Sequence, residues 1–249
     1  MGRAVALVCL LAGCGRLGFG LGDDDHASAD APDITADIGG DAAPSMVALV
    51  QASTTVNSPG GTVTLPFGSP TTAGTLLVAT FGANDISNLV LPAGWMIAQQ
   101  AFTSGGCFAV VAYQANNPGG ITSIDLGQPS LLPTVAVATE WTGITASSPL
   151  DAIGLSSGGA PMTTQTVQTA TPTVAADELA ISVFGEDVGM PQYSGDPTWQ
   201  LLGTASNTSS SPSFIAQYKR IAVPGAVGTT VTSSVAGKYA AAIVTFRSQ

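Results

Sequence analysis

Histidine is almost missing from this 249-residue chain: there is one, His26. A Ser-His-Asp relay needs an imidazole that folds up beside its serine, and a zinc site needs imidazole or thiolate ligands. Gly154-Leu155-Ser156-Ser157-Gly158 has the spacing of a nucleophile elbow, but no histidine follows it. That motif is therefore expected to be a turn between halves and not a hydrolase centre. Basic residues are scarce too, with Lys and Arg numbering 6 against 16 Asp and Glu, for a net charge of −10. From Met46 onward nine acids face four bases, and the pair Lys219-Arg220 alone does not make the basic patch a nucleic acid requires. Nucleic acid is excluded as a partner. Cysteine is limited to Cys9, Cys14 and Cys107. Cys107, at a strand start beside Phe108 with no histidine or lysine near it in sequence, is expected to be a small buried hydrophobe.

Long apolar runs are also lacking. Ala4 to Leu11 is well short of the roughly 20 residues that span a bilayer, and Arg3 before it makes the segment read as an export leader. The leader ends in Leu11-Ala12-Gly13-Cys14, which resembles the lipobox of bacterial lipoproteins. The resemblance implies that residues 1–13 are a signal peptide and that Cys14 is the lipid-attachment residue. Acyl chains, at about 0.8 kcal/mol per buried methylene, would then tie the protein to a membrane. Gly15 in place of aspartate after Cys14 implies, by the sorting habit of that class, an outer-membrane or cell-surface destination.

The leader is followed by a segment that cannot build a core. Residues 14–45 hold seven aspartates, Asp23, Asp24, Asp25, Asp30, Asp33, Asp37 and Asp41, with few large apolar side chains between Gly22 and Ser45. Low hydrophobicity and like charge give a disordered, self-repelling spacer. Asp23-Asp24-Asp25-His26 is a solvated acidic tether and not a coordination shell, because adjacent flexible residues preorganise nothing.

Residues 46–249 are what remains, and they are rich in core and turn material: 45% of the whole chain is apolar, with 30 glycines and 16 prolines. Short apolar or alternating runs such as Cys107–Gln114, Asp151–Leu155, Thr163–Thr169, Thr229–Val235 and Tyr239–Phe246 are separated by Ser58-Pro59-Gly60, Pro92-Ala93-Gly94 and Asn116-Asn117-Pro118-Gly119. Thr75-Leu-Leu-Val-Ala-Thr-Phe-Gly82 returns as Glu178-Leu-Ala-Ile-Ser-Val-Phe-Gly185, and Trp95/Trp199, Tyr113/Tyr218, Pro118/Pro224 and Trp141/Phe246 follow in the same order. Offsets that creep upward along the series are what one-residue loop insertions produce. The expectation is an all-β, jelly-roll-like antiparallel β-sandwich built from two similar halves, about 75–145 and 178–248, each lending strands to both sheets.

The order Leu76-Leu77-Val78-Ala79, Pro92-Ala93-Gly94-Trp95, Tyr113, Glu140-Trp141-Thr142-Gly143-Ile144, Ser148-Pro149-Leu150-Asp151-Ala152 is similar to a recurrent secreted, phage-associated bacterial β-sandwich domain of no established activity. The second half departs from it, with Asp196-Pro197-Thr198-Trp199 in place of Pro-Ala-Gly-Trp. That resemblance implies a fold and no chemistry.

Asn84-Asp85 and Glu186-Asp187 follow the Phe-Gly of each half. If both pairs lie on loops, their hard oxygens are candidate calcium or ligand residues, calcium being the one cofactor the sequence leaves open. Tyr193, without a counterpart in the first half, is the aromatic expected at the surface, whereas Trp95, Trp141 and Trp199 repeat as core residues do. Glu140 with Asp151, or Glu186 with Asp187, are the carboxylate pairs a glycosidase would draw on. The functional expectation is a lipid-anchored, non-enzymatic surface module that contacts a glycan or an envelope protein; a ligand-free structural component and a carboxylate glycosidase are the alternatives.

Overall fold

A computed structural model of the chain describes residues 46–58, 61–87, 89–104, 106–127, 134–189, 191–206 and 212–249. The leader, Cys14, the acidic segment and His26 lie outside the described residues. Every named element is a strand: β1 (Ala48–Ala52), β2 (Val56–Ser58), β3 (Val63–Pro66), β4 (Leu76–Ala83), β5 (Met96–Thr103), β6 (Cys107–Gln114) and β7 (Ser123–Leu126) come first. β8 (Thr134–Thr142), β9 (Leu150–Gln168), β10 (Glu178–Glu186), β11 (Tyr193–Ser194), β12 (Gln200–Ser206), β13 (Ser213–Ile221) and β14 (Gly228–Phe246) follow.

The pairing is antiparallel throughout. One sheet runs β1–β8–β4–β6–β5, with β2 also on β8; the other runs β11–β14–β10–β13–β12, with β9 also on β14; β3 and β7 form a separate ribbon. The repeat read from the sequence is a repeat of register. Leu76 lies opposite Trp141 and Val78 opposite Tyr113 in the first half, and Leu179 opposite Phe246 and Ile181 opposite Tyr218 in the second. The edge strands even carry their bulge at equivalent places, between Ile97 and Gln99 in β5 and between Leu201 and Gly203 in β12.

Apart from β7, which pairs with β3 in the ribbon, each half keeps its strands to its own sheet, and the expected exchange of strands between the two main sheets does not occur among the described residues. Neighbours such as β5 and β6 are separated by only three residues of chain, and closing a short loop costs less chain entropy than crossing to the other sheet. Two further differences concern length. The segments Asp151–Leu155 and Thr163–Thr169 are parts of one strand, β9, and Thr229–Val235 and Tyr239–Phe246 are parts of β14. Gly154 to Gly158 is therefore mid-strand and not a turn. The β9–β14 pair bends where its register shifts, between Thr232 and Tyr239. It doubles back so far that a Cβ on Gly154 would sit 1.9 Å from the Gln168 carbonyl oxygen.

Bending gives the sandwich four layers and three cores. The two sheets pack face to face through Leu76, Val78, Val111 and Trp141 of the first half and Leu179, Ile181, Val183 and Phe246 of the second. On its outer face the first sheet is covered by the β3–β7 ribbon, which inserts Val63, Leu65, Ile124 and Leu126 over Leu77, Ala79 and Phe81. The second sheet is covered by its own folded-back ends, Val167, Val227 and Val231 closing over Ala180, Phe184 and Ile215. Central strands β4 and β10 are consequently buried along their whole length. Each large apolar side chain so buried contributes about 1.5–3 kcal/mol. The repeated glycines stand where the sheets approach most closely. A Cβ on Gly185 would lie 2.9 Å from the Phe108 carbonyl oxygen, and one on Gly82 would meet the Phe214 Cβ at 3.4 Å.

Candidate functional site

The acidic pairs that follow Phe-Gly are not equivalent in space. Register aligns Glu186 with Ala83, since they face Tyr239 and Thr134 in matching strands, so Asp187 and not Glu186 is the partner of Asn84. Asp85 is half-buried and accepts hydrogen bonds from the Ser87 amide (2.8 Å) and hydroxyl (2.9 Å), bonds that hold its carboxyl below the usual range. Glu186 is not on a loop. It ends β10 fully buried, its Oε2 accepting from Tyr193 Oη (3.2 Å) and Ser233 Oγ (3.0 Å), while Oε1 has no partner among the described residues. Burial pushes its carboxyl up to about 7, against the hydrogen bonds from Ser233 and Tyr193. Asp187 is engaged with the β14 bulge, accepting from the Lys238 amide at 2.8 Å. No cluster of three or more acidic, cysteine or histidine side chains suited to a metal is present among the described residues.

Tyr193, expected at the surface, is half-buried. Its ring packs on the outer core of the second half, and its hydroxyl is shared between Glu186 and Ser213 Oγ (2.8 Å). The reason is β11, a two-residue strand that pairs with Ser233 and Thr232 of β14 and presses the tyrosine inward. Cys107 is buried as expected. Burial first, then the carboxyls of Asp187 and Glu186, raise its thiol far above the ordinary range, so it stays protonated.

Glu140 and Asp151, the other nominated pair, tie elements of the fold together. Glu140 is buried and accepts from Thr72 N (2.6 Å), Thr75 Oγ1 (2.9 Å) and Gln51 Nε2 (2.6 Å). In the second half the same two register positions are exchanged: Glu178 replaces Thr75, and Thr245 replaces Glu140. The partner of Asp151 is therefore Glu178, a pairing the sequence reading missed. Burial works against the charged form of Asp151, but Arg247, 2.7 and 2.9 Å from Oδ1, and the Val174 amide outweigh it and hold the acid low. Burial and the adjoining Asp151 push Glu178 up to about 7. One carboxyl stays charged on its arginine while its neighbour keeps a proton near neutrality.

A concave surface exists elsewhere, on the outer face of the first half. A groove of about 650 Å³ runs between the 90–95 segment, the 118–121 turn and β7. Val90, Pro92, Trp95, Ile121 and Ile124 give it apolar walls, and Gln114, Ser123, Thr62 and Asp125 supply hydrogen-bonding groups. Its shape follows from local chemistry. Gly94 adopts φ 84°, which closes the Pro92–Trp95 turn through a Trp95 N to Pro92 O bond of 3.2 Å. The opposite lip is tied by Val90 and Gly127, each donating to the other's carbonyl (2.8 and 3.0 Å). Asp125 Oδ1 accepts from Thr64 Oγ1 at 2.6 Å, which fixes the carboxylate at the rim. Trp95 is core, as its repetition implied, yet it also walls this groove. The signal was the stretch from Ile86 to Ile124, which contains no charged residue although it includes turns that face solvent.

No family profile, curated protein or solved structure matches the chain.

Proposed function

We propose that the protein is an exported, lipid-anchored binding module without catalytic chemistry, held on an acidic stalk through Cys14, whose ligand is a neutral glycan of the cell surface or envelope. The groove beside Trp95 carries this reading. Its volume lies within the roughly 300–1,000 Å³ typical of ligand sites, and its mixture of apolar wall and a few fixed polar groups is what such sites use. Pro92, Trp95, Ile121 and Ile124 suit the C–H face of a sugar ring, and Asp125 and Gln114 accept from hydroxyls. An anionic ligand is disfavoured, because the walls offer a carboxylate and no base.

The test is a neutral glycan panel presented to the full chain, beside a Val90→Arg variant. Val90 is 61% exposed at the lip, so the arginine leaves the fold intact while blocking the groove. Saturable binding weakened at least tenfold by Val90→Arg, at unchanged melting temperature, supports the reading; binding indifferent to that change sinks it. The anchor is checked separately: Cys14→Ser releases the protein from membranes, and a variant that still sediments with them removes the lipid from the account.

A further inference from the structure

The outer core of the second half repeats that of the first in shape but not in chemistry. At register-equivalent positions, buried Val63, Ala79, Ala83, Ala112 and Ile124 of the first half become Gln165, Ser182, Glu186, Gln217 and Thr229. All five replacements are buried. The Gln217 amide donates to Thr229 Oγ1 at 2.7 Å, which joins the sheet to its folded-back cover. Gln165 Nε2 and Oε1, Ser182 Oγ, Glu186 Oε1 and the Trp199 indole nitrogen, all in this layer, have no hydrogen-bond partner among the described residues. Native interiors seldom leave such groups unpaired. The fold does not require them, because the first half builds the same layer from valine, alanine and isoleucine.

Two cavities border this layer, one of them at Trp199 and Gln217. A cavity of about 230 Å³ is walled by Gln217, Trp199, Tyr193 and Gly195, and another of about 260 Å³ is walled by Tyr193, Pro191, Gln192 and Ala205. Tyr193 of β11 walls both, and β11 is held to β14 by its two register pairs and, next to it, by Ser234 N to Gln192 O (2.9 Å) and Gln192 N to Ser234 Oγ (2.8 Å). Gly195 lets the strap rest directly on the polar layer, since a Cβ there would come within 2.6 Å of Gln217 Oε1.

We propose that the polar layer under the Tyr193 strap is a second binding site, for a small uncharged polyhydroxylated molecule, reached when β11 lifts from β14. The unpartnered groups include an indole N–H and an amide nitrogen that donate, an amide oxygen that accepts, and a hydroxyl and a carboxyl able to do either. A ligand with several hydroxyls satisfies both kinds, whereas an apolar ligand would leave them unpaired. Such a site is cryptic in the sense that the closed form is one member of the ensemble and the ligand selects the open one.

The experiment titrates the full chain with glycerol, myo-inositol and neutral monosaccharides by calorimetry. Saturable binding of at least one is expected, retained in Val90→Arg, which separates this site from the groove. The double variant Gln165→Val/Ser182→Ala, which restores first-half chemistry, should lose that binding at least tenfold and melt higher by roughly 3 °C or more, because unpaired groups have been removed. A disulfide between register partners, Ser194→Cys with Thr232→Cys, should block binding when oxidised and restore it when reduced. Binding of no member of the panel, binding that survives the double variant, or binding indifferent to the clamp each overturns the proposal.

Discussion

Two glycines at the same place in the repeat carry different burdens. A methyl on Gly82 meets ordinary van der Waals contact, but on Gly185 it meets the Phe108 backbone at 2.9 Å and Cys107 Sγ at 3.0 Å. Gly185→Ala should therefore destabilise by about 1–3 kcal/mol, as overpacking does, and Gly82→Ala by less than about 1 kcal/mol; denaturant midpoints of the two variants decide it. Buried acids set a second residue-scale effect. Glu178 and Glu186 close the two ends of β10, and burial raises both to about 7. An acid raised on folding contributes stability that is fully present below its unfolded value, near 4.5, and is lost as pH rises through the folded value. The melting temperature should consequently fall by roughly 5 °C or more between pH 5 and pH 8, given about 1.4 kcal/mol per unit of displacement. Glu186→Gln should flatten that slope, and a pH-independent melting curve for the parent would refute the assignment. Neither acid was legible as interior from sequence: Glu178 stands where the first half has Thr75, at the start of a strand, and Glu186 follows Phe-Gly and so reads as a loop residue; only the register of the two halves places Glu186 at the position equivalent to Ala83.

At the scale of the element, edges and bends matter most. β5 pairs on one side only, and no charged residue occurs from Ile86 to Ile124, so its edge lacks the lysines that usually discourage strand addition. Phe102, 52% exposed and 4.7 Å from the Phe108 ring, adds an aromatic patch beside that edge. Concentrated protein should self-associate through β5, and Gln100→Lys, at an exposed position, should reduce the association in light scattering without shifting the melting temperature. β5 and its partner were readable because alternation and turn chemistry agree, and Cys107–Gln114 matches β6 residue for residue. β9 and β14 were not. Gly158-Gly159-Ala160-Pro161 carries the signal of a break, but the ladder continues through a bulged bend, so local propensity marked the bend and missed the continuity. β11 escaped for a related reason: two residues hold no period, and only pairing with β14 makes them a strand.

For the whole molecule, the central core decides how the halves behave. Trp141 and Tyr113 of the first half pack edge-on against Tyr218 and Phe246 of the second, at 4.8 and 5.4 Å between ring centroids. Neither sheet can leave the other without exposing a face of Leu, Ile, Val and aromatic side chains from edge to edge. The outer cores belong to one half each, and they would permit separate folding if the inner faces were polar; they are not. The halves should therefore unfold together. Tryptophan emission weights the first half, through Trp95 and Trp141, with Trp199 reporting the second. Circular dichroism reports strands of both, so in a two-state process the two denaturation curves coincide. A fragment covering residues 46–145 should expose the inner face of its sheet and aggregate instead of remaining monomeric. Curves that separate, or a monomeric folded fragment, would make the repeat two joined domains. The binding surfaces argued above would then be independent modules, and a disturbance under the Tyr193 strap could not be felt through the shared core by the groove at Trp95.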